Sequence, residues 1–227
     1  MQPTRLTAPD GIELWLVEGP GTEAERSALY GLLSPDERAR ASGFKVEDAR
    51  NSFIVSRGYL RTILGDALPA TPDSIRFGEG EHGKPFLDGS HADRDIEFNV
   101  SHSGDLFLYA VSQGRTVGVD IERKKDGLSA DAIAQRYFAP EEARLLLELA
   151  PEQRLPSFYR CWTRKEAYLK AKGTGLTTKL QAFEVTFLPD VPPALLHTEV
   201  DGEDPSDWQV FELSVPDGYV AALVAHS

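Results

Sequence analysis

Sulfur is nearly absent from this chain, which has one cysteine and one methionine in 227 residues. A lone Cys161 excludes an internal disulfide and a cysteine-rich metal site. Long hydrophobic runs are missing too. Tyr219 to Ala225, the longest apolar stretch near the end, is far too short to span a bilayer. Met1-Gln2-Pro3-Thr4-Arg5-Leu6 leads into no apolar run, so no secretory leader is expected. Positive charge is in deficit: 24 Lys and Arg stand against 36 Asp and Glu, a formal net charge of −12. That balance argues against general nucleic-acid binding, because backbone phosphates would be repelled. It leaves room for a small molecule that carries phosphate. Together these absences predict a cytoplasmic protein with no membrane or nucleic-acid partner.

What is present is an ordinary globular composition, 41% apolar, 26% charged and 9% aromatic. The length suits one large domain or two small ones. The basic residues are unevenly spread. Arg38, Arg40, Lys45, Arg50, Arg57 and Arg61 crowd one segment, and Arg160, Arg164, Lys165, Lys170 and Lys172 another. Two readings stand: solvated helix faces, or two basic helices lining one anion site.

The chain also repeats itself. At an offset of 105 residues, Ile12, Leu14 and Leu16 match Val117, Val119 and Ile121, each set alternating as in a strand with one buried face. At the same offset Ser34-Pro35-Asp36-Glu37 matches Ala139-Pro140-Glu141-Glu142, and both open a helix. Ser34 with Glu37 three residues on is a capping box. Tyr59-Leu60-Arg61 matches Tyr168-Leu169-Lys170, and Phe107 to Ser112 resembles Tyr219 to Ala225. Elements in the same order with slowly drifting spacing indicate an internal duplication. The expected architecture is two similar α+β halves, 1–115 and 116–227, with a ligand cleft between them. Each half reads as strand, helix, longer helix, then two or three strands. The long helices are placed at about Asp48 to Leu64 and Ser157 to Lys172. Strands are placed at Ser74 to Phe77, Ile96 to Val100, Leu106 to Ser112, Phe183 to Leu188, Trp208 to Val215 and Tyr219 to Ala225. Asp201 to Asp207 reads as an acidic turn.

Two segments carry chemistry. In Gly118-Val119-Asp120-Ile121-Glu122 the two acids are two residues apart, so a strand puts them on one face. In Trp162-Thr163-Arg164-Lys165-Glu166-Ala167-Tyr168-Leu169-Lys170, Glu166 and Lys170 are four apart and share a helix face, while Lys165 points elsewhere. Mg²⁺ takes one or two carboxylates plus phosphate oxygens and waters, a demand these acids fit. Solvated strand acids and a helical surface ion pair are the plain alternatives for the same residues. Gly83-Lys84-Pro85 could hold an ammonium on a rigid turn. Asn99-Val100-Ser101-His102-Ser103-Gly104 offers a hydroxyl, an imidazole and backbone amides to a pyrophosphate. No Gly-x-Ser-x-Gly surrounds Ser101 or Ser103, so a hydrolase nucleophile is not indicated.

Taken in order, these segments resemble the Sfp-type 4'-phosphopantetheinyl transferase family. Leu33 to Glu37, Phe138 to Glu142 and Gly173-Thr174-Gly175-Leu176 also fit, and the resemblance spans about residues 30 to 190. It implies a pseudo-twofold α+β (α/β) fold of two similar subdomains, each with an antiparallel sheet packed on a long helix. The N-terminal subdomain would hold the nucleotide side of coenzyme A, and the C-terminal one the metal and catalytic residues. The implied reaction moves 4'-phosphopantetheine from coenzyme A to a serine of an apo acyl or peptidyl carrier protein and releases adenosine 3',5'-bisphosphate. By resemblance, Asp120, Glu122 and Glu166 ligate Mg²⁺, with Mn²⁺ as a substitute. Glu166 and Lys170 are catalytic. Lys84, Pro85, Ser101, His102 and Lys170 contact coenzyme A, and Arg40 and Arg50 are candidates for its 3'-phosphate. Glu37 stands where the family carries a lysine. The protein is expected to be a monomer serving nonribosomal peptide, polyketide or siderophore synthesis. Carriers of this kind present an acidic helix, so docking on so acidic a chain calls for a local patch, for which Arg160, Arg164 and Lys172 are candidates. Two further readings share the site residues: a Mg²⁺-dependent pyrophosphate hydrolase and an inactive coenzyme A-binding or carrier-binding module.

Overall fold

A computed structural model describes residues 2–80, 83–175, 178–200 and 202–227. His82, Leu176 and Asp201 lie outside the described residues. The chain forms two compact units, Met1–Gly114 and Arg115–Ser227.

In unit 1 a short strand β1 (Thr4–Leu6) pairs with β2 (Ile12–Glu18). Helices α1 (Glu23–Leu32), α2 (Pro35–Ser42) and the long α3 (Glu47–Ala67) follow. A hairpin of β3 (Arg76–Glu79) and β4 (Pro85–Asp88) then leads to β5 (Ile96–Ser103) and β6 (Leu106–Gln113). The main sheet is antiparallel in the order β1-β2-β6-β5. Val17, Phe107, Tyr109 and Val111 from one sheet face join Ile54, Val55, Tyr59, Leu60, Ile63 and Leu64 of α3 in one core. Ile12, Leu14 and Leu16 are buried as their alternation predicts. The intervening row is not left to solvent, since Val17 is fully buried and Trp15 packs against the core.

Unit 2 starts with β7 (Val117–Arg123) and continues through α4 (Ala130–Tyr137), α5 (Pro140–Glu148) and α6 (Pro151–Lys172). Then come β8 (Phe183–Val185), β9 (Leu195–Thr198), β10 (Trp208–Leu213) and β11 (Tyr219–His226). The sheet order is β10-β11-β7, also antiparallel. β2 of unit 1 and β7 of unit 2 each pair with the last strand of their unit, and that strand pairs with the one before it. The register agrees residue by residue. Glu13 faces Val111 as Gly118 faces Val224, and Trp15 faces Tyr109 as Asp120 faces Ala222.

The helix starts are built as their sequences require. Ser34 Oγ accepts from Glu37 N, and the Glu37 carboxylate accepts from Ser34 N. Ala139 has no side-chain acceptor, yet Glu142 Oε2 still accepts from Ala139 N at 3.0 Å. α6 begins earlier than its sequence indicates, because Pro156 lies inside it rather than ahead of it. Proline lacks an N–H and reads as a start; as the sixth residue of α6, Pro156 instead removes one i to i−4 hydrogen bond from inside the helix. α1, α4 and the strands β1, β4 and β9 are additional to the expected elements; the two helices are amphipathic but short, and the strands are shorter still. The strand expected at Phe183 to Leu188 ends at Val185, where the β8–β9 register shifts. No helix among the described residues is long and apolar enough to cross a membrane.

Candidate active site

On β7, period-two alternation puts Gly118, Asp120 and Glu122 in one row. Helix α6 lies against that row. The face reads from sequence as a place for solvated acids, but Asp120 is only 4% exposed. Lys170 Nζ donates to Asp120 Oδ1 at 2.6 Å. One helical turn back is Glu166, whose carboxyl is pushed up to about 6. Burial is the largest cause, followed by the charge of Asp120; Lys170 pulls the value down and Glu122 adds to the rise. Asp120, Glu122, Glu166 and Lys170 thus form one electrostatic group drawn from one strand and one helix. Burial first, and the repulsion of the neighbouring carboxylates second, keep a proton on Glu166 to higher pH than usual.

Such a group offers hard oxygen donors for a divalent cation, an ammonium for a phosphate, and a carboxyl tuned toward proton transfer. Among the described residues, no cluster of three or more His, Cys, Asp or Glu is closed enough to cage an ion by itself. Lys170 sits on Asp120 instead. The donor set still suits Mg²⁺, which needs only one or two protein carboxylates when phosphates supply the rest.

The other basic residues of α6 have structural employment. Lys165, adjacent to Glu166, is fully buried and pairs with Glu142 Oε2 at 2.7 Å. It also donates to the carbonyls of Leu180 and Phe183. Burial raises the Glu142 carboxyl, and Lys165 offsets only part of that rise. Arg164 is 1% exposed and donates to Glu212 and to the Thr186 carbonyl. Arg160 stands near the same Glu212, and Lys172 pairs with Glu203. The three cations expected to form a patch, Arg160, Arg164 and Lys172, are thus all paired, sharing two carboxylates, and Arg164 is buried. Long basic side chains can pack their stems and reach internal acceptors, which sequence spacing does not reveal.

Unit 1 carries the remaining candidates. Lys84 precedes Pro85, the first residue of β4, and its Nζ is 3.9 Å from Glu97 on β5. Burial pushes the Lys84 ammonium down, against the pull of Glu97. Ser101 is buried on β5, while His102 is exposed and stacks on Phe107 at 5.5 Å. Arg40 pairs with Glu79 at 2.8 Å and lies over Phe53. Arg50 is exposed in the first turns of α3. Arg61 leaves the anion-site candidates. Arg61 is 1% exposed, holds Glu37 at 2.8 Å and donates to the carbonyls of Pro72 and Ile75. The early basic segment is thus no uniform anion surface.

The residue that spacing alone passed over is Gly118. It was legible as a member of the motif, but not as the place where helix and strand backbones touch.

Comparison with known proteins converges on one family. The family model "4'-phosphopantetheinyl transferase superfamily" matches residues 116–224. A second, "4'-phosphopantetheinyl transferase, N-terminal", matches residues 20–114. The chain is 38% identical over 223 residues to 4'-phosphopantetheinyl transferase HetI of Nostoc sp., covering 98% of this chain and 91% of that protein. It is 32% identical over 174 residues to a 4'-phosphopantetheinyl transferase of Bacillus subtilis, covering 77% and 75%. With Sfp of Bacillus subtilis strain 168 the identity is 28% over 169 residues, 74% and 73% of the two chains. Among solved structures, the holo-acyl-carrier-protein synthase of Thermotoga maritima matches at 25% identity with a TM-score of 0.37, over 49% of this chain and 62% of that one. Both family models and the extent of the matches place this chain in the 4'-phosphopantetheinyl transferase superfamily.

Proposed function

We propose that this enzyme transfers the 4'-phosphopantetheine group of coenzyme A to a serine hydroxyl of an apo carrier protein, releasing adenosine 3',5'-bisphosphate. The observation that carries the reading is the convergence of Asp120, Glu122, Glu166 and Lys170 from β7 and α6. Asp120, Glu122 and Glu166 would hold Mg²⁺, with Mn²⁺ able to replace it. The ion, when bound, offsets the negative charge that builds on a diphosphate during phosphoryl transfer.

The chain's own groups divide the remaining work. Lys170 is anchored by Asp120, so its ammonium is held at the carboxylate group rather than sweeping through solvent. There it neutralises the departing phosphate. Glu166 would take the proton of the attacking serine, directly or through a water; a cation bound to it weakens it as a base, which favours the water. Unit 1 supplies the nucleotide contacts: Lys84 and Pro85 at one turn, Ser101 and His102 on β5, and Arg40 and Arg50 for the 3'-phosphate. Arg40 must exchange Glu79 for that phosphate.

The test is mass spectrometry of apo acyl and peptidyl carrier proteins after incubation with coenzyme A and Mg²⁺. A gain of one phosphopantetheine on the acceptor serine, with stoichiometric adenosine 3',5'-bisphosphate, is expected. Cleavage of coenzyme A without modification of any carrier would replace transfer by hydrolysis.

A further inference from the structure

Gly118 sits in the β7 row that carries Asp120 and Glu122, and α6 passes directly over it. A Cβ built on Gly118 would lie 2.1 Å from the carbonyl oxygen of Ala167 and 2.3 Å from the backbone nitrogen of Ala171. It would also come within 2.9 Å of the Cα of Ala171. These are backbone atoms of the helix, which cannot rotate away as a side-chain tip can. Glycine inside a strand marks this kind of backbone approach. The contact falls beside the active group: Ala167 follows Glu166, and Ala171 follows Lys170.

Unit 1 provides an internal control with the other outcome. At the matching register position it has Glu13 instead of Gly118, with Trp15 and Tyr109 where unit 2 has Asp120 and Ala222. There α3 packs mainly on α1 and meets its sheet less closely, through side chains on β5 and β6, whereas α6 lies close on both β7 and β11. Tyr109 spans the wider gap, its hydroxyl donating to the Ser56 carbonyl on α3 at 3.3 Å. Side-chain volume in this row sets how near the helix comes.

We infer that Gly118 is a positioning residue for the transfer reaction: its missing side chain sets the α6–β7 separation at which Lys170 meets Asp120 and Glu166 faces the strand carboxylates. The inference rests on the proposed transferase site. A methyl group at 118 would push α6 away and lengthen the 2.6 Å Lys170–Asp120 contact without removing a reacting group. A displacement on the order of 1 Å costs about a hundredfold in rate in a preorganised site.

The experiment compares Gly118→Ala, Val119→Ala and Asp120→Ala for kcat and KM with coenzyme A and an apo carrier. Val119 is fully buried but points away from α6, so its truncation lowers stability without thickening the helix contact. For Gly118→Ala, kcat should fall by about a hundredfold while KM for coenzyme A stays within about twofold, since the nucleotide contacts are in unit 1. Val119→Ala should retain kcat despite its lower Tm. A crystal structure of Gly118→Ala should show the Lys170–Asp120 contact broken. Wild-type kcat in Gly118→Ala, or an equal loss of kcat in Val119→Ala, overturns the inference. If Gly118→Ala fails to fold, Ala222→Val decides, because Ala222 lies opposite Asp120 in the same row and packs in one buried cluster with α6. Loss of kcat at preserved KM supports the inference, and unchanged kcat overturns it. Asp120→Ala separates the two levels: full transfer by that variant removes the site itself, whereas an inactive Asp120→Ala beside a normal Gly118→Ala removes only the role of Gly118.

Discussion

The two units share a plan and differ in one row of side chains. Both pair an early strand, β2 or β7, with the last strand, pack a long helix on the same face, and open a short helix with proline. Both also contain the same buried clasp. In unit 1, Arg61 of the long helix grips Glu37 and two carbonyls of the segment that follows, Pro72 and Ile75. In unit 2, Lys165 grips Glu142 and the carbonyls of Leu180 and Phe183. The clasp is scaffold, and it occurs in both units. The row on the opening strand is different. Unit 1 fills it with Glu13, Trp15 and Val17 and packs a core there. Unit 2 fills it with Gly118, Asp120 and Glu122, brings the helix onto the strand and gathers charge. One framework thus gives an inert core in one copy and a reactive group in the other, and the choice lies with three residues in each.

The sharpest way to break this comparison is to exchange a residue in that row. Asp120→Ala should abolish carrier modification in the mass-spectrometric assay while leaving the circular dichroism spectrum intact. Its counterpart Trp15→Phe should keep kcat within about twofold, because it changes only packing. Normal turnover by Asp120→Ala would mean that both rows are structural. Next in size is the clasp of unit 2. Glu142→Ala leaves the ammonium of Lys165 buried without its carboxylate, and should cost about 3–5 kcal/mol in urea unfolding. The clasp of unit 1 should be weaker. The Glu37 side chain keeps some solvent contact, so Glu37→Ala should cost about 2 kcal/mol, combining a lost cap contact with a half-broken pair. Equal losses at the two sites would refute the ranking.

The smallest effect concerns the tyrosine bridge. Tyr109→Phe should cost about 1 kcal/mol at neutral pH, for one hydrogen bond. Burial raises the Tyr109 hydroxyl far above its ordinary value. A tyrosine with a raised folded-state value contributes stability that is whole below pH ~10 and is lost as pH rises further. The gap between wild type and Tyr109→Phe should therefore close in denaturation curves recorded above pH ~10. A constant gap would place the hydroxyl in contact with solvent.

Much of this could be read before any coordinates. Alternation located β2 and β7, proline followed by acids located α2 and α5, and the order of matches revealed the duplication. Asp120 and Glu122 on one strand face, and Glu166 with Lys170 on one helix face, follow from periods of 2.0 and 3.6. Other features carried no local signal. Periodicity put Lys170 on the face of Glu166 and turned Lys165 away from it, but gave no sign that Lys165 and Arg164 are buried pillars. Pro156 hid the first turns of α6, and the short strands β4 and β9 lack enough residues for a pattern.

By itself, then, the sequence determined which residues share a face, because local backbone periodicity dictates where each Cβ points. It also determined the family, because ordered motifs in both units carry it. Only the tertiary structure decided that the strand face bearing Asp120 turns to α6 and away from solvent, and that Lys170 meets Asp120. The reason is distance. Helix periodicity picks the lysine, but whether it reaches the strand depends on how closely the two backbones approach, and they come together at Gly118, far along the chain from either lysine.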